Sequence, residues 1–168
     1  LHRVKIDQSS YGVFNGTTSQ VAIGSATTWE ALIGGADAAT KPFTFAAWVY
    51  VNTSGESASP RILSFGQNND RCLMWEDSGP NLTLHIEGGA TGDGTVDSNT
   101  LSYQQWYHVV GTYTGGNTGT MALYVNGANN EASNTTPNGP DAIATGGAFI
   151  GERYEANTGF DGYIQNVM

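Results

Sequence analysis

The chain has 168 residues, with 15 Asp and Glu against 6 Lys and Arg and a formal net charge of −9. That length suits one domain with its own core, and a content of 39% hydrophobic and only 12% charged residues excludes a disordered polyelectrolyte. So few basic residues on so acidic a chain exclude nucleic acid and anionic membrane surfaces as partners, and no apolar run reaches the ~18 residues of a membrane span.

The 23 glycines, with abundant Thr, Asn and Ser, favour strands and turns over helices. In chain order, a strand is predicted over 11–14, then Asn15-Gly16, a dipeptide suited to the positive φ of a hairpin, then a strand over 20–23. One helix is expected next. Thr27 and Glu30 form a capping-box pattern before Ala31, Leu32 and Ile33, and Gly34-Gly35 ends it. Phe43, Phe45, Ala47, Val49 and Val51 then alternate with Thr44, Ala46, Trp48 and Tyr50, the period of a strand with two unlike faces. Further strands are expected over 61–65, 72–76, 82–86, 105–113, 121–125, 149–151 and 162–168, with loops over 52–60, 66–71, 87–100, 114–119 and 128–147. Asn126-Gly127 marks a second hairpin.

Many short strands at regular spacing predict an all-β fold, a two-sheet antiparallel sandwich or jelly roll. No shift in composition divides it, so residues 1–168 read as a single domain. The chain opens on Leu1 and stops at Met168 directly after an alternating apolar stretch, which reads as a segment of a longer polypeptide. Cys72, between Arg71 and Leu73-Met74, reads as a small buried hydrophobe.

Five segments, in order, resemble the laminin-G-like jelly roll of the concanavalin A-like lectin/glucanase superfamily. They are Tyr11-Gly12-Val13-Phe14-Asn15-Gly16 with Val21-Ala22-Ile23, then Phe43-Thr44-Phe45-Ala46-Ala47-Trp48-Val49, then Gln105-Trp106-Tyr107-His108-Val109-Val110-Gly111-Thr112-Tyr113. Leu123-Tyr124-Val125-Asn126-Gly127 follows, and Ile150-Gly151 with Phe160-Asp161-Gly162-Tyr163-Ile164-Gln165-Asn166-Val167 closes the series. The resemblance implies two antiparallel sheets, one concave, with ligands met on the concave face or at rim loops. It also implies that Trp48 and Trp106 are framework residues of the core and that His108 is structural. The fold does not by itself define an activity.

Hydrolases of that superfamily carry Glu-x-Asp-x-x-Glu on one strand, and no such triplet occurs here. Glu76-Asp77 are adjacent and would point to opposite faces of a strand, and Glu152 and Glu155 flank Arg153 in a loop, where a solvated ion pair is expected. Sugar recognition needs aromatic faces and convergent polar groups. Trp75, Tyr107, His85, Glu87 and Arg71 are the expected ligand-binding residues on the concave surface. Trp75 precedes Glu76-Asp77 at a strand end, and His85 shares with Thr83 the face opposite Leu82, Leu84 and Ile86. The plainer alternatives are a core position for Trp75 and an ordinary sheet histidine for His85.

The resemblance further implies a structural Ca2+ held by an Asp of the closing strand. Here that position is Gln165, with Asn15 and Asp161 as the accompanying candidates. A second acidic set, Glu87, Asp93, Asp97 and Asn99, fails the EF-hand spacing. The expectation is therefore a non-catalytic module that binds glycans or a surface protein. It would work in an extracellular protein or on a virion surface, without nucleic acid or membrane insertion. The alternative is a structural virion protein, a capsid decoration or tail appendage domain; a glycoside hydrolase is the remote one.

Overall fold

A computed structural model describes residues 10–36, 39–53, 59–67, 71–76, 80–88, 92–129, 141–143, 145–154 and 157–168. Asp77 and Glu155 lie outside the described residues. The described strands are β1 (Gly12–Asn15), β2 (Val21–Ser25), β3 (Phe43–Val51), β4 (Arg61–Phe65), β5 (Arg71–Glu76), β6 (Asn81–Ile86), β7 (Gly94–Asp97), β8 (Trp106–Tyr113), β9 (Met121–Val125), β10 (Ala128–Asn129), β11 (Gly147–Ile150) and β12 (Asp161–Gln165), with one helix, α1 (Ala26–Ile33). They form two six-stranded sheets, β1-β12-β3-β8-β9-β10 (sheet I) and β2-β11-β4-β5-β6-β7 (sheet II). All pairings are antiparallel. This is the sandwich that the composition and periodicity predict.

The core lies between the sheets. Alternation supplies Phe43, Phe45, Ala47, Val49 and Val51 from β3 and Leu82, Leu84 and Ile86 from β6. Phe45 of sheet I stacks on Phe65 of sheet II with centroids 4.6 Å apart, and Trp29 of α1 meets the same Phe65 edge-on at 4.6 Å. Trp29 also donates its Nε1–H to Ile23 O at 3.2 Å, which anchors the helix to β2.

Three local expectations change. The helix is capped by Ser25, whose Oγ accepts from Thr28 N at 3.3 Å, rather than by Thr27. Glu30 serves the other end instead: its Oε1 accepts from Gly35 N at 2.9 Å and its Oε2 from Ile143 N at 2.7 Å. Asn15-Gly16 makes a turn but no hairpin, because β1 pairs with β12 in sheet I while β2 pairs with β11 in sheet II. The segment 87–100, expected as loop, contains β7.

Candidate functional site

On sheet I, the residues that alternate with the core set face outward. On β3 these are Thr44, Ala46, Trp48 and Tyr50; on β8, Trp106, His108, Val110 and Thr112. On β12 they are Asp161, Tyr163 and Gln165. Register assembles them into rows across the strands. One row runs Val13–Tyr163–Tyr50–Trp106, and the next runs Gln165–Trp48–His108. The following row is Ala46–Val110–Tyr124, and Thr44–Thr112–Ala122 comes last.

The first two rows make an aromatic cluster open to solvent. Tyr50 lies 5.6 Å from Trp106 and 5.3 Å from Tyr163, ring to ring, and Tyr11 covers Tyr163 at 4.9 Å and Trp106 at 6.2 Å. Beside them Trp48 meets the His108 ring at 5.1 Å. Trp48 and Trp106 are 38% and 37% exposed, Tyr11 47% and Val13 64%. Rings held by neighbouring rings yet left open to water make this face the candidate interaction surface. This corrects the expectation that Trp48 and Trp106 belong to the core, and it places His108 beside the cluster. The signal was in the sequence, because Trp48 falls in the alternating set opposite Phe43, Phe45 and Ala47.

The residues expected to bind ligand sit elsewhere. Trp75 is fully buried between the sheets, its ring 5.2 Å from Tyr103 and its Nε1–H donating to Tyr103 Oη at 3.4 Å. β5 is buried on both faces, so no end of it presents a ring to solvent. Tyr107 points inward, one residue out of phase with Trp106, and its hydroxyl accepts from Ser102 N at 3.0 Å and donates to Ser102 O at 3.1 Å. Arg71 shares the inward parity of Leu73 and Trp75; it is fully buried and donates to Asp141 O at 3.0 Å and Gly35 O at 3.3 Å. Glu87 lies nearby, its carbonyl accepting from Asp141 N at 3.2 Å.

His85 lies on the face of sheet II away from the core. It is half-buried, with Nε2 3.9 Å from Asp93 Oδ2. Burial lowers its pKa, against the upward pull of Asp93. Arg71, His85 and Glu87 thus lie at one end of β5 and β6, with Arg71 turned inward and His85 outward, and Trp75 and Tyr107 pack into the core.

The three calcium candidates do not form one site. Asn15 and Asp161 are register partners at one end of β12, whereas Gln165 lies four residues along, about 13 Å away. Asn15 Oδ1 accepts the backbone N–H groups of Thr17, Thr18 and Ser19 at 3.1, 2.9 and 3.0 Å. The Asp161 carboxylate accepts from Asn52 Nδ2 at 3.2 Å and Thr53 Oγ1 at 2.6 Å. Among the described residues no group of three or more His, Cys, Asp or Glu side chains could hold a metal ion.

Other carboxylates are likewise tied down. Asp97 accepts from Thr83 Oγ1 at 2.7 Å, Asp93 from Gly88 N at 3.2 Å and Glu76 from Ser59 Oγ at 2.9 Å. Buried Glu152 accepts from Thr158 N at 2.9 Å and Arg153 N at 3.0 Å. Cys72 is fully buried, and burial pushes its thiol up to about 11, the state of an inert core residue.

The fold has solved counterparts. A proposed carbohydrate-binding protein from Bacteroides ovatus superposes with a TM-score of 0.63 at 22% identity, over 94% of this chain and 42% of that one. Domains LG4-5 of the mouse laminin α1 chain give 0.61 at 14% identity, over 94% of this chain and 40% of that one. Domain 4 of AbnA, a GH43 extracellular arabinanase from Geobacillus stearothermophilus in complex with arabinotriose, gives 0.61 at 15% identity, over 94% and 68%. The chain thus spans less than half of the first two. No curated protein sequence matches it. Among the described residues no helix is long and apolar enough to cross a membrane. The laminin G family model (Laminin_G_3) matches residues 15–168, and the chain belongs to that family, in the concanavalin A-like lectin/glucanases superfamily.

Proposed function

We propose that the chain is a non-catalytic carbohydrate-recognition module that works outside the cell and meets its ligand on the outer face of sheet I. The observation that carries this reading is the solvent-facing cluster of Tyr11, Trp48, Tyr50, Trp106 and Tyr163. Sugar rings present C–H faces that stack on aromatic rings, while their hydroxyls need polar partners at the rim. His108, Gln165 and Thr112 supply such partners here. The arabinanase domain solved with arabinotriose and the Bacteroides ovatus protein support the same ligand class.

The non-catalytic reading is supported by carboxylates among the described residues. Glycoside hydrolysis needs two of them free to face one bond, and Glu76, Asp93, Asp97, Glu152 and Asp161 each serve a structural hydrogen bond.

The test is electrophoresis of the chain through native gels containing dissolved polysaccharides, beside the Trp106→Ala variant. The wild type is expected to be retarded by at least one polysaccharide. The variant should run freely while losing only about 1–2 kcal/mol of stability, because Trp106 is a partly exposed ring rather than a core residue. Trp48→Ala serves as the second variant. Equal retardation of both variants and wild type would reject this face as the site.

A further inference from the structure

The outer face of sheet I has a second property, separate from its rings: it carries almost no charge. The strands β1, β12, β3, β8, β9 and β10 contain no Lys, Arg or Glu, and one Asp, Asp161. That carboxylate accepts from Asn52 and Thr53 at one end of β12. None of the four described Lys and Arg residues lies on a sheet I strand, and Arg153 follows β11 of sheet II. Lys41 donates to Ala31 O, Arg61 to Ser59 O and Arg71 to Gly35 O and Asp141 O.

The face is also open and elongated. From Tyr50 to Thr44, β3 advances about 20 Å at ~3.4 Å per residue, and β8 follows it in register from Trp106 to Thr112. The strip changes character along that length. Aromatic rings occupy one end; buried Ala46 with half-buried Val110 and Tyr124 forms the lower middle. The far end opens on a shallow recess of about 570 Å³ lined by Pro42, Phe43, Thr44, Thr112, Tyr113 and Thr114, where threonine hydroxyls are available.

We propose that the ligand is an uncharged polysaccharide bound along its length. Sugar rings stack at the Trp48–Trp106 end, and the chain continues over Ala46 and Val110 to the hydroxyls of Thr44 and Thr112. This rests on the carbohydrate reading above and narrows it. A uronate, sulfate or sialate would need a cation, best an Arg fork; the described residues of this face offer no Lys or Arg, and the chain's net charge of −9 repels it. Recognition of a single terminal sugar needs an enclosing pocket with convergent polar groups. An open strip instead gathers weak contacts over several residues.

Calorimetric titration of the chain with neutral oligosaccharides (arabinan, xylan and β-glucan series, each from disaccharide to hexasaccharide) tests this, beside oligogalacturonates and heparin fragments at low and at physiological salt. One neutral series should gain at least about tenfold in affinity from disaccharide to hexasaccharide, with no salt dependence. The double variant Thr44→Val/Thr112→Val, which keeps side-chain volume, should remove most of that gain, so that the hexasaccharide binds little better than the disaccharide. Binding confined to the anionic oligomers and weakened by salt would overturn the uncharged class while leaving carbohydrate recognition standing. A disaccharide bound as tightly as the hexasaccharide would overturn binding along the strip. Failure of every saccharide would instead reject the carbohydrate reading itself.

Discussion

Trp75 and Trp106 are the same residue type with opposite environments, and the difference is one of parity. Trp106 alternates with Tyr107, Val109 and Tyr113, which point inward, so its own ring must face water. Trp75 falls in phase with Leu73 and packs against Tyr103 in the core. Trp75→Ala should therefore cost about 3–5 kcal/mol and lower the thermal midpoint by roughly 6–20 °C; a midpoint within about 2 °C of wild type would contradict its buried placement. On β3 this parity was legible, since the phenylalanines fix the inward set, yet the resemblance of Trp48 to a framework residue suggested the reverse. On β5 it was not legible: Arg71-Cys72-Leu73-Met74-Trp75 is buried on both faces and shows no alternation. His85 supplies a pH prediction. Its folded pKa lies below the 6.5 of the free side chain because of burial. As pH falls through about 6.5 the unfolded chain takes the proton first, so stability declines until the folded pKa is passed. Urea midpoints measured across that window should fall less in His85→Gln than in wild type, and parallel curves would remove His85 as the source.

Among the elements, β12 decides where the aromatic face stands. It lies between β1 and β3, and its Gly162 sits opposite both Phe14 and Val51. With φ of 152°, Gly162 has no room for a Cβ, which would overlap the carbonyl oxygen of Tyr50. Gly162→Ala should thus push β12 from β3, separate Tyr163 from Tyr50, and cost several kcal/mol; the expected readouts are a lowered thermal midpoint and weakened saccharide binding together. Full binding with wild-type stability would show that the strand pair accepts a methyl group. Strand existence was readable because alternation is local. Pairing was less so: Asn126-Gly127, with φ of 52° and 80°, turns β9 into β10, whereas Asn15-Gly16 passes the chain from one sheet to the other. Both dipeptides supply a turn, but the partners of β1 and β2 lie far away in sequence. β7 escaped notice because four residues with one apolar side chain, Val96, carry too short a period to see.

Over the whole molecule, one shared core leaves two outer faces, and they are finished differently. The outer positions of sheet II are covered: Arg61, Ser64, Cys72 and Thr83 are buried, with Ser64 Oγ donating to Glu152 O at 2.8 Å across the sheet. Sheet I is left open, which is why the candidate ligand face belongs there. The sandwich is closed by β12, through a backbone ladder on both sides and through Asp161 held by Asn52 and Thr53. With one donor on each oxygen of the Asp161 carboxylate and three backbone N–H groups on Asn15 Oδ1, we expect the closing strand to hold without an ion. The thermal midpoint should therefore be the same, within about 1 °C, in millimolar calcium and in chelator. Asp161→Ala should lower it by several degrees in both, as loss of hydrogen bonds to a charged group predicts. A midpoint that climbs with the logarithm of calcium concentration, as linkage to a bound ion requires, would show that the folded chain binds the ion, and loss of that climb in Asp161→Ala would place it at the closing strand.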